Sequence, residues 1–201
     1  MSIYKFFSIV LHPIFTPIIF INSTFFLIPQ TKIFAEEEFA WFFIKIVSIT
    51  IIIPLTSVLI MYKKKIISSY EINKKEERFG PILITAFCYA ILLIILKFKY
   101  SLEPLVTGQL FGVAIILFSA LIISVFWKIS LHMLSIGGGC GIIISIYLVS
   151  ERGFFFIICL IVTSVFLAVC RRKEKAHNNN QLIMGFLAGL IIETTCILFF
   201  I

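Results

Sequence analysis

Charge is what this 201-residue chain has least of: 13% of its residues are Asp, Glu, Lys or Arg, where a soluble domain carries about 25%. Apolar side chains fill the deficit, at 61% of the total with 23 Phe among them, and the mean hydropathy is +1.13. An ordinary soluble domain is excluded by that balance, and an integral membrane protein is implied. Paired cysteines are missing too. Cys88, Cys140, Cys159, Cys170 and Cys196 contain no C-x-x-C pair, and four of them lie in apolar runs. That spacing provides neither a disulfide framework nor a zinc site. No small-residue cleavage site follows the first apolar run, which therefore reads as retained. The net charge is +7. Most of it sits at the ends of apolar runs, so the expected partners are the membrane, anionic head groups and a phosphorylated substrate, with no nucleic acid.

What the chain does have is a succession of apolar runs, and roughly 20 apolar residues suffice to cross a bilayer. Such runs occur at 6–28, 40–62, 80–98, 108–127, 131–149, 154–170 and 182–201. They predict an all-α fold, a polytopic transmembrane helical bundle of six to seven spans, forming one integral membrane domain over residues 1–201. The first run is the weakest. Pro13 and Pro17 interrupt its hydrogen-bond ladder and His12 and Asn22 dilute it, so a kink or partial re-entry is expected there. The pairs Gly108/Gly112, Gly137/Gly141 and Gly185/Gly189 have the small-xxx-small spacing of close helix packing.

If every run crosses, twelve of the 17 basic residues share one face: Lys5, Lys63, Lys64, Lys65, Lys74, Lys75, Arg78, Lys128, Arg171, Arg172, Lys173 and Lys175. The other face holds Lys32, Lys45, Lys97, Lys99 and Arg152. The positive-inside rule then puts the richer face in the cytoplasm. Three separated segments bring the unusual polar residues to that same face: Lys74-Lys75-Glu76-Glu77-Arg78-Phe79-Gly80-Pro81, Lys128-Ile129-Ser130-Leu131-His132, and Cys170-Arg171 running on to His177 and Gln181. Arg offers phosphate a planar fork, helix N-termini add backbone donors, and His attacks phosphorus or passes a proton near neutral pH. Lys128 beside Trp127 reads first as an interface anchor, with phosphate contact as its sharper alternative. Glu193 falls on the Gly185/Gly189 stripe, too deep for direct catalysis, and is expected to make a buried hydrogen bond.

At these residues the chain resembles the type 2 phosphatidic acid phosphatase superfamily, in particular a short bacterial branch of it, over about residues 63–201. That family's signature is a Lys-containing stretch ending in Arg-Pro, then Pro-Ser-Gly-His, then Ser-Arg-x5-His-x3-Asp. The second element here reads Ile129-Ser130-Leu131-His132, and the third Cys170-Arg171-x5-His177-x3-Gln181. The resemblance implies a metal-independent membrane phosphatase in a bacterial inner membrane, with no cofactor, that hydrolyses a lipid phosphate or diphosphate. It implies His177 as a nucleophile forming a phosphohistidine and His132 as the acid that protonates the departing oxygen. Arg171, Arg78 and Ser130, joined by Lys75, are implied to hold the phosphate oxygens.

Four positions depart from the pattern. Gln181 stands where the family has Asp, Cys170 replaces Ser, Leu131 replaces Gly, and Ile129 replaces Pro. Gln181, four residues past His177 on a helix, shares its face and accepts the ring proton without supplying a charge. In a serine protease triad, exchanging the orienting Asp for Asn costs ~10⁴ in rate. The alternative reading is therefore a catalytically impaired relative that binds lipid or scaffolds a complex.

Overall fold

Each apolar run becomes a helix, and each interruption in the sequence becomes a break. The structure, a computed structural model, describes residues 2–32, 36–70, 72, 74–100 and 102–201, without the side chains of Glu36 and Glu37. Its helices are α1 (Ile3–Val10), α2 (Thr16–Leu27), α3 (Glu36–Val47), α4 (Ile53–Lys63), α5 (Phe79–Lys99), α6 (Pro104–Phe126), α7 (Leu131–Ser150), α8 (Phe154–Lys173) and α9 (Asn179–Phe200). Among the described residues there is no strand. Six helical segments are long and apolar enough to cross a membrane: Glu38–Lys63, Lys75–Lys99, Pro104–Phe126, Leu131–Ser150, Phe154–Lys173 and Asn179–Phe200. The protein is an all-helical, multi-pass membrane protein. Large apolar side chains such as Phe154, Phe155, Val162 and Val165 on α8 are exposed, as suits a surface solvated by lipid rather than water.

Prolines shape the first two apolar runs. In the first run the chain breaks between α1 and α2, where Pro13 lies. The Ile14 N–H donates to His12 Nδ1 at 3.2 Å and the Thr16 hydroxyl donates to the Pro13 carbonyl at 2.6 Å, taking over from lost helical bonds. α2 then runs beside α7 in the same direction. The Thr16 and Ser135 hydroxyls meet at one end, the Phe20 ring occupies the space beside Gly139, and Arg152 Nη1 donates to the Leu27 carbonyl at 3.0 Å at the other end. With 12 residues, α2 is ~18 Å long, short of the ~30 Å hydrocarbon thickness. The expected kink is therefore a complete break, and this path is not one of the six long spans. In the next crossing a π-helical turn, Ser48–Ile52, joins α3 to α4 ahead of Pro54. Proline's missing N–H is a common cause of such a register change.

The core of the bundle is α7, which meets α9 along most of its length, with α6 packed against α9 and touching α7 where Ile116 lies beside Gly138. All three glycine pairs lie on these contacts. A Cβ added at Gly137 would overlap the Phe186 carbonyl, and one at Gly189 the Leu134 carbonyl. One at Gly185 would come within 2.9 Å of the Ser130 carbonyl. Gly108 faces the α9 backbone at Ile197, and Gly112 faces the Glu193 carboxylate. At Gly108, Gly137, Gly185 and Gly189 the nearest atoms are backbone, and no side-chain rotation makes room. Gly189→Ala should therefore destabilise the protein by about 1–3 kcal/mol, read as a lower midpoint of thermal unfolding in detergent. Gly80→Ala, whose added methyl would meet only the flexible end of Met61, should leave that midpoint nearly unchanged. Equal effects at the two sites would show that the α7–α9 contact is not tight.

Candidate active site

The start of α5, the start of α7, the end of α8 and the start of α9 come together at one end of the bundle. They border a cavity of about 1210 Å³, lined also by α1, α2, α4 and α6, among whose lining residues are His12, Arg78, Lys128, His132, Arg171 and His177. Four of the residues singled out in the sequence, Arg78, His132, Arg171 and His177, thus face one space from four different helix ends.

His177 closes the short loop between α8 and α9 and is only 5% exposed. Its Nδ1 lies 3.0 Å from Gln181 Oε1. The same oxygen accepts the Asn178 N–H at 3.2 Å, while the Gln181 N–H donates to Asn178 Oδ1 at 2.9 Å. This is a reciprocal capping box at the N-terminus of α9. Because Oε1 already accepts from a backbone N–H, it must be the amide's oxygen, and the ring nitrogen facing it must carry the proton. His177 Nε2 is then left with the lone pair, which is the tautomer a nucleophile needs. Burial, and after it the charges of Arg78, Arg171 and Lys128, hold the imidazole down to about 4 against the opposing bond to Gln181.

The cations are spent partly on the protein itself. Arg78, 6% exposed, donates from Nη1 to the Ile129 carbonyl at 2.9 Å and from Nε to the Ile72 carbonyl at 3.3 Å. These bonds tie the segment before α5 to the one before α7. Arg171 sits in the last turn of α8, a favourable place for a cation, and its Nη1 donates to Glu174 Oε2 at 2.8 Å. Lys128 borders the cavity, and burial followed by the nearness of Arg78 and Arg171 depresses its ammonium.

Other expectations are corrected by the geometry. Lys75 is exposed on a tight 3₁₀ turn, Lys75–Glu77, and does not line the cavity. Lys128, read mainly as an anchor, stands there instead. Ser130 is fully buried and does not line the cavity. Its hydroxyl caps α7 by accepting the Met133 N–H at 3.5 Å, and its own N–H donates to the Gln181 carbonyl at 3.4 Å. Gln181, by contrast, supports His177 as its four-residue spacing implied, and does not itself line the cavity. Glu193 borders the cavity's inner wall fully buried, but neither carboxylate oxygen has the expected hydrogen-bond partner. Among the described residues no group of three His, Cys, Asp or Glu is placed to hold a metal ion.

His12, Ser8 and Glu174 belong to the site with less warning in the sequence. The His12 ring meets His132 edge to face, with centroids 5.3 Å apart. Burial and then the charge of Arg171 bring His12 down to about 4. The His132 Nε2–H donates to the Ser8 carbonyl at 3.0 Å, and the Ser8 hydroxyl donates to Glu174 Oε2 at 2.8 Å. His12 was legible only as a helix-end histidine that a crossing of the first run would bring near this face, and nothing in the sequence marked Ser8 or Glu174.

His12 and His177 both have an ordinary value of 6.5. Unfolded chains therefore bind protons between pH 6.5 and about 4 that the folded protein does not, and stability falls as pH falls through that window. Histidine NMR in micelles should show His177 titrating near 4, and Gln181→Asp should raise that midpoint by placing a negative charge on Nδ1–H. A midpoint at 6.5 in both proteins would mean that the ring is solvated and the cations distant.

Compared with family models, curated proteins and solved structures, the chain matches none, so the functional reading stands on residues and geometry.

Proposed function

We propose that the protein is a metal-independent membrane phosphatase that hydrolyses a lipid phosphate or diphosphate through a phosphohistidine intermediate, in a bacterial cytoplasmic membrane. The observation that carries this reading is the His177 ring, fixed through Nδ1 by Gln181 and bordering a cavity onto which Arg78, Lys128 and Arg171 converge. A phosphoryl group in transit needs alignment and charge stabilisation more than elaborate covalent chemistry. Three cations from three chain segments supply the second, and the Gln181 bond supplies the first. The cavity's position at the end of an apolar bundle suits a substrate whose hydrocarbon chain stays in lipid.

The reaction balances in two steps. His177 Nε2 attacks phosphorus, the bond from phosphorus to the lipid oxygen breaks, and that oxygen leaves with a proton from the His132 imidazolium, which His132 becomes by taking the proton that the substrate phosphate monoanion brings. Water then attacks the phosphohistidine and gives a proton to His132. The N–P bond breaks, inorganic phosphate departs, and both imidazoles return to their starting state. Neutral His177 at pH 7 favours the first step, because the lone pair is available without prior deprotonation.

A second reading has specific support: Gln181 offers no charge to the cationic phosphoimidazole, and the His132 Nε2 proton is directed to the Ser8 carbonyl. In that reading the protein binds lipid phosphate without turnover. One assay separates the two: phosphate release from a panel of lipid phosphates by purified protein, with and without chelator. Turnover indifferent to chelator is expected, lost in His177→Ala and reduced ~10²–10⁴-fold in His132→Ala. Gln181→Asp should preserve or raise it. Full turnover by His177→Ala would refute the mechanism. Inactivity of both the native chain and Gln181→Asp, with phosphate still bound through Arg171, would establish the second reading.

A further inference from the structure

Ser8 and Glu174 are 166 positions apart in sequence, and between them they engage two of the groups that the phosphatase reading assigns to the reaction. Glu174 Oε2 accepts from Arg171 Nη1 and from the Ser8 hydroxyl, both at 2.8 Å. The Ser8 carbonyl accepts from His132 Nε2 at 3.0 Å. A single carboxylate oxygen thus occupies a phosphate-binding arginine and, through one serine, fixes α1 over the acid that should serve the leaving group. We propose that Glu174 is a positioning residue, a latch that holds α1 closed over His132 and is displaced from Arg171 when a substrate phosphate arrives. The inference rests on the phosphatase reading for its ligand, though the latch itself does not.

Charge and packing favour this exchange. Glu174 offers Arg171 one negative charge, whereas a phosphate dianion brings more charge and several acceptor oxygens to the same guanidinium and to Lys128 and Arg78 beside it. A carboxylate displaced from Arg171 loses the partner that held it near Ser8. α1 is also lightly held. Of its eight residues only Ser8 is buried, and Ile3, Phe6, Ile9 and Val10 are exposed. The Phe7 ring also meets Phe166 of α8 edge to face, centroids 4.8 Å apart. The exposed apolar side chains rest in lipid whether α1 is closed or lifted, so opening exposes little apolar surface to water. Lifting α1 frees the His132 Nε2 proton, and the break at Pro13 provides the hinge. In its closed position α1 keeps the acid engaged until a phosphate is present.

Hydrogen–deuterium exchange in nanodiscs tests the latch directly. Backbone amides of residues 3–11 should exchange slowly in the native chain and about tenfold faster or more in Glu174→Gln, whose neutral amide replaces a charge-assisted acceptor. Ser8→Ala, which leaves the Arg171–Glu174 pair intact, should do the same. Unchanged exchange on α7 and α9 would certify that both variants are folded. Saturating inorganic phosphate should speed exchange of α1 in the native chain and not in Arg171→Gln. In turnover assays Glu174→Gln should lower KM more than it changes kcat, since substrate no longer displaces a resident carboxylate. Slow α1 exchange in both Glu174→Gln and Ser8→Ala overturns the proposal. Fast exchange in those variants with no response of the native chain to phosphate upholds the latch and counts against the phosphatase reading.

Discussion

The site depends on how closely the backbones of α7 and α9 approach. Gly137 and Gly141 on one helix face the Phe186 and Leu190 carbonyls, and Gly185 and Gly189 on the other face the Ser130 and Leu134 carbonyls, so that carbonyl oxygens lie where side chains would ordinarily stand. That contact draws the beginning of α9 against the beginning of α7, so that the Ser130 N–H reaches the Gln181 carbonyl and the Ser130 carbonyl lies against Gly185. His177, immediately before α9, is thereby brought to the cavity that His132 borders from the first turn of α7. In a bilayer, where apolar burial gives little reason for helices to associate, such small-residue contacts are a principal source of helix adhesion. The packing that holds the bundle together is also what brings both histidines to one cavity.

Concentrating positive charge at a half-buried membrane end is costly, and the protein offsets it locally. Arg78 is absorbed by the carbonyls of Ile72 and Ile129, and Arg171 by Glu174. His12 and His177 stay neutral because burial and the neighbouring cations oppose a further proton. A bound phosphate would reverse the sign of that environment. Beside these cations Glu174 supplies a carboxylate, 2.8 Å from Arg171.

Gln181 shows how one residue can satisfy two demands. As the third residue of α9 it completes a capping box with Asn178, and a Gln is as good as a Glu for that purpose. Its carbonyl oxygen also fixes the His177 tautomer. The cap explains why the amide is so well oriented, and orientation is the part of an aspartate's work that a neutral side chain can perform. Charge compensation is the part it cannot. No Asp occurs anywhere in the chain, so no other residue of that type replaces it.

Fold class and number of spans were legible in the sequence because both follow from local chemistry: the length of each apolar run, the positions of Pro13 and Pro54, and the spacing of the glycines. Arg78, His132, Arg171 and His177 were legible as well, since each lies within a few residues of a helix end and the order of crossings carries those ends to one side. Side-chain direction was not. Lys75 and Lys128 are both basic residues at span ends, and only the turn at Lys75–Glu77 and the packing around Lys128 separate the solvated one from the one at the cavity. Ser130 was expected among the phosphate-holding groups, yet its burial commits the hydroxyl to capping α7. Glu193 showed as a costly residue within a span, but whether any donor came within reach was a matter of which neighbours faced it. The contacts of Ser8 with Glu174 and His132 span more than a hundred residues and carry no periodicity or motif. Local sequence determines what a segment becomes, whereas contacts between distant segments exist only once the helices have been packed against one another.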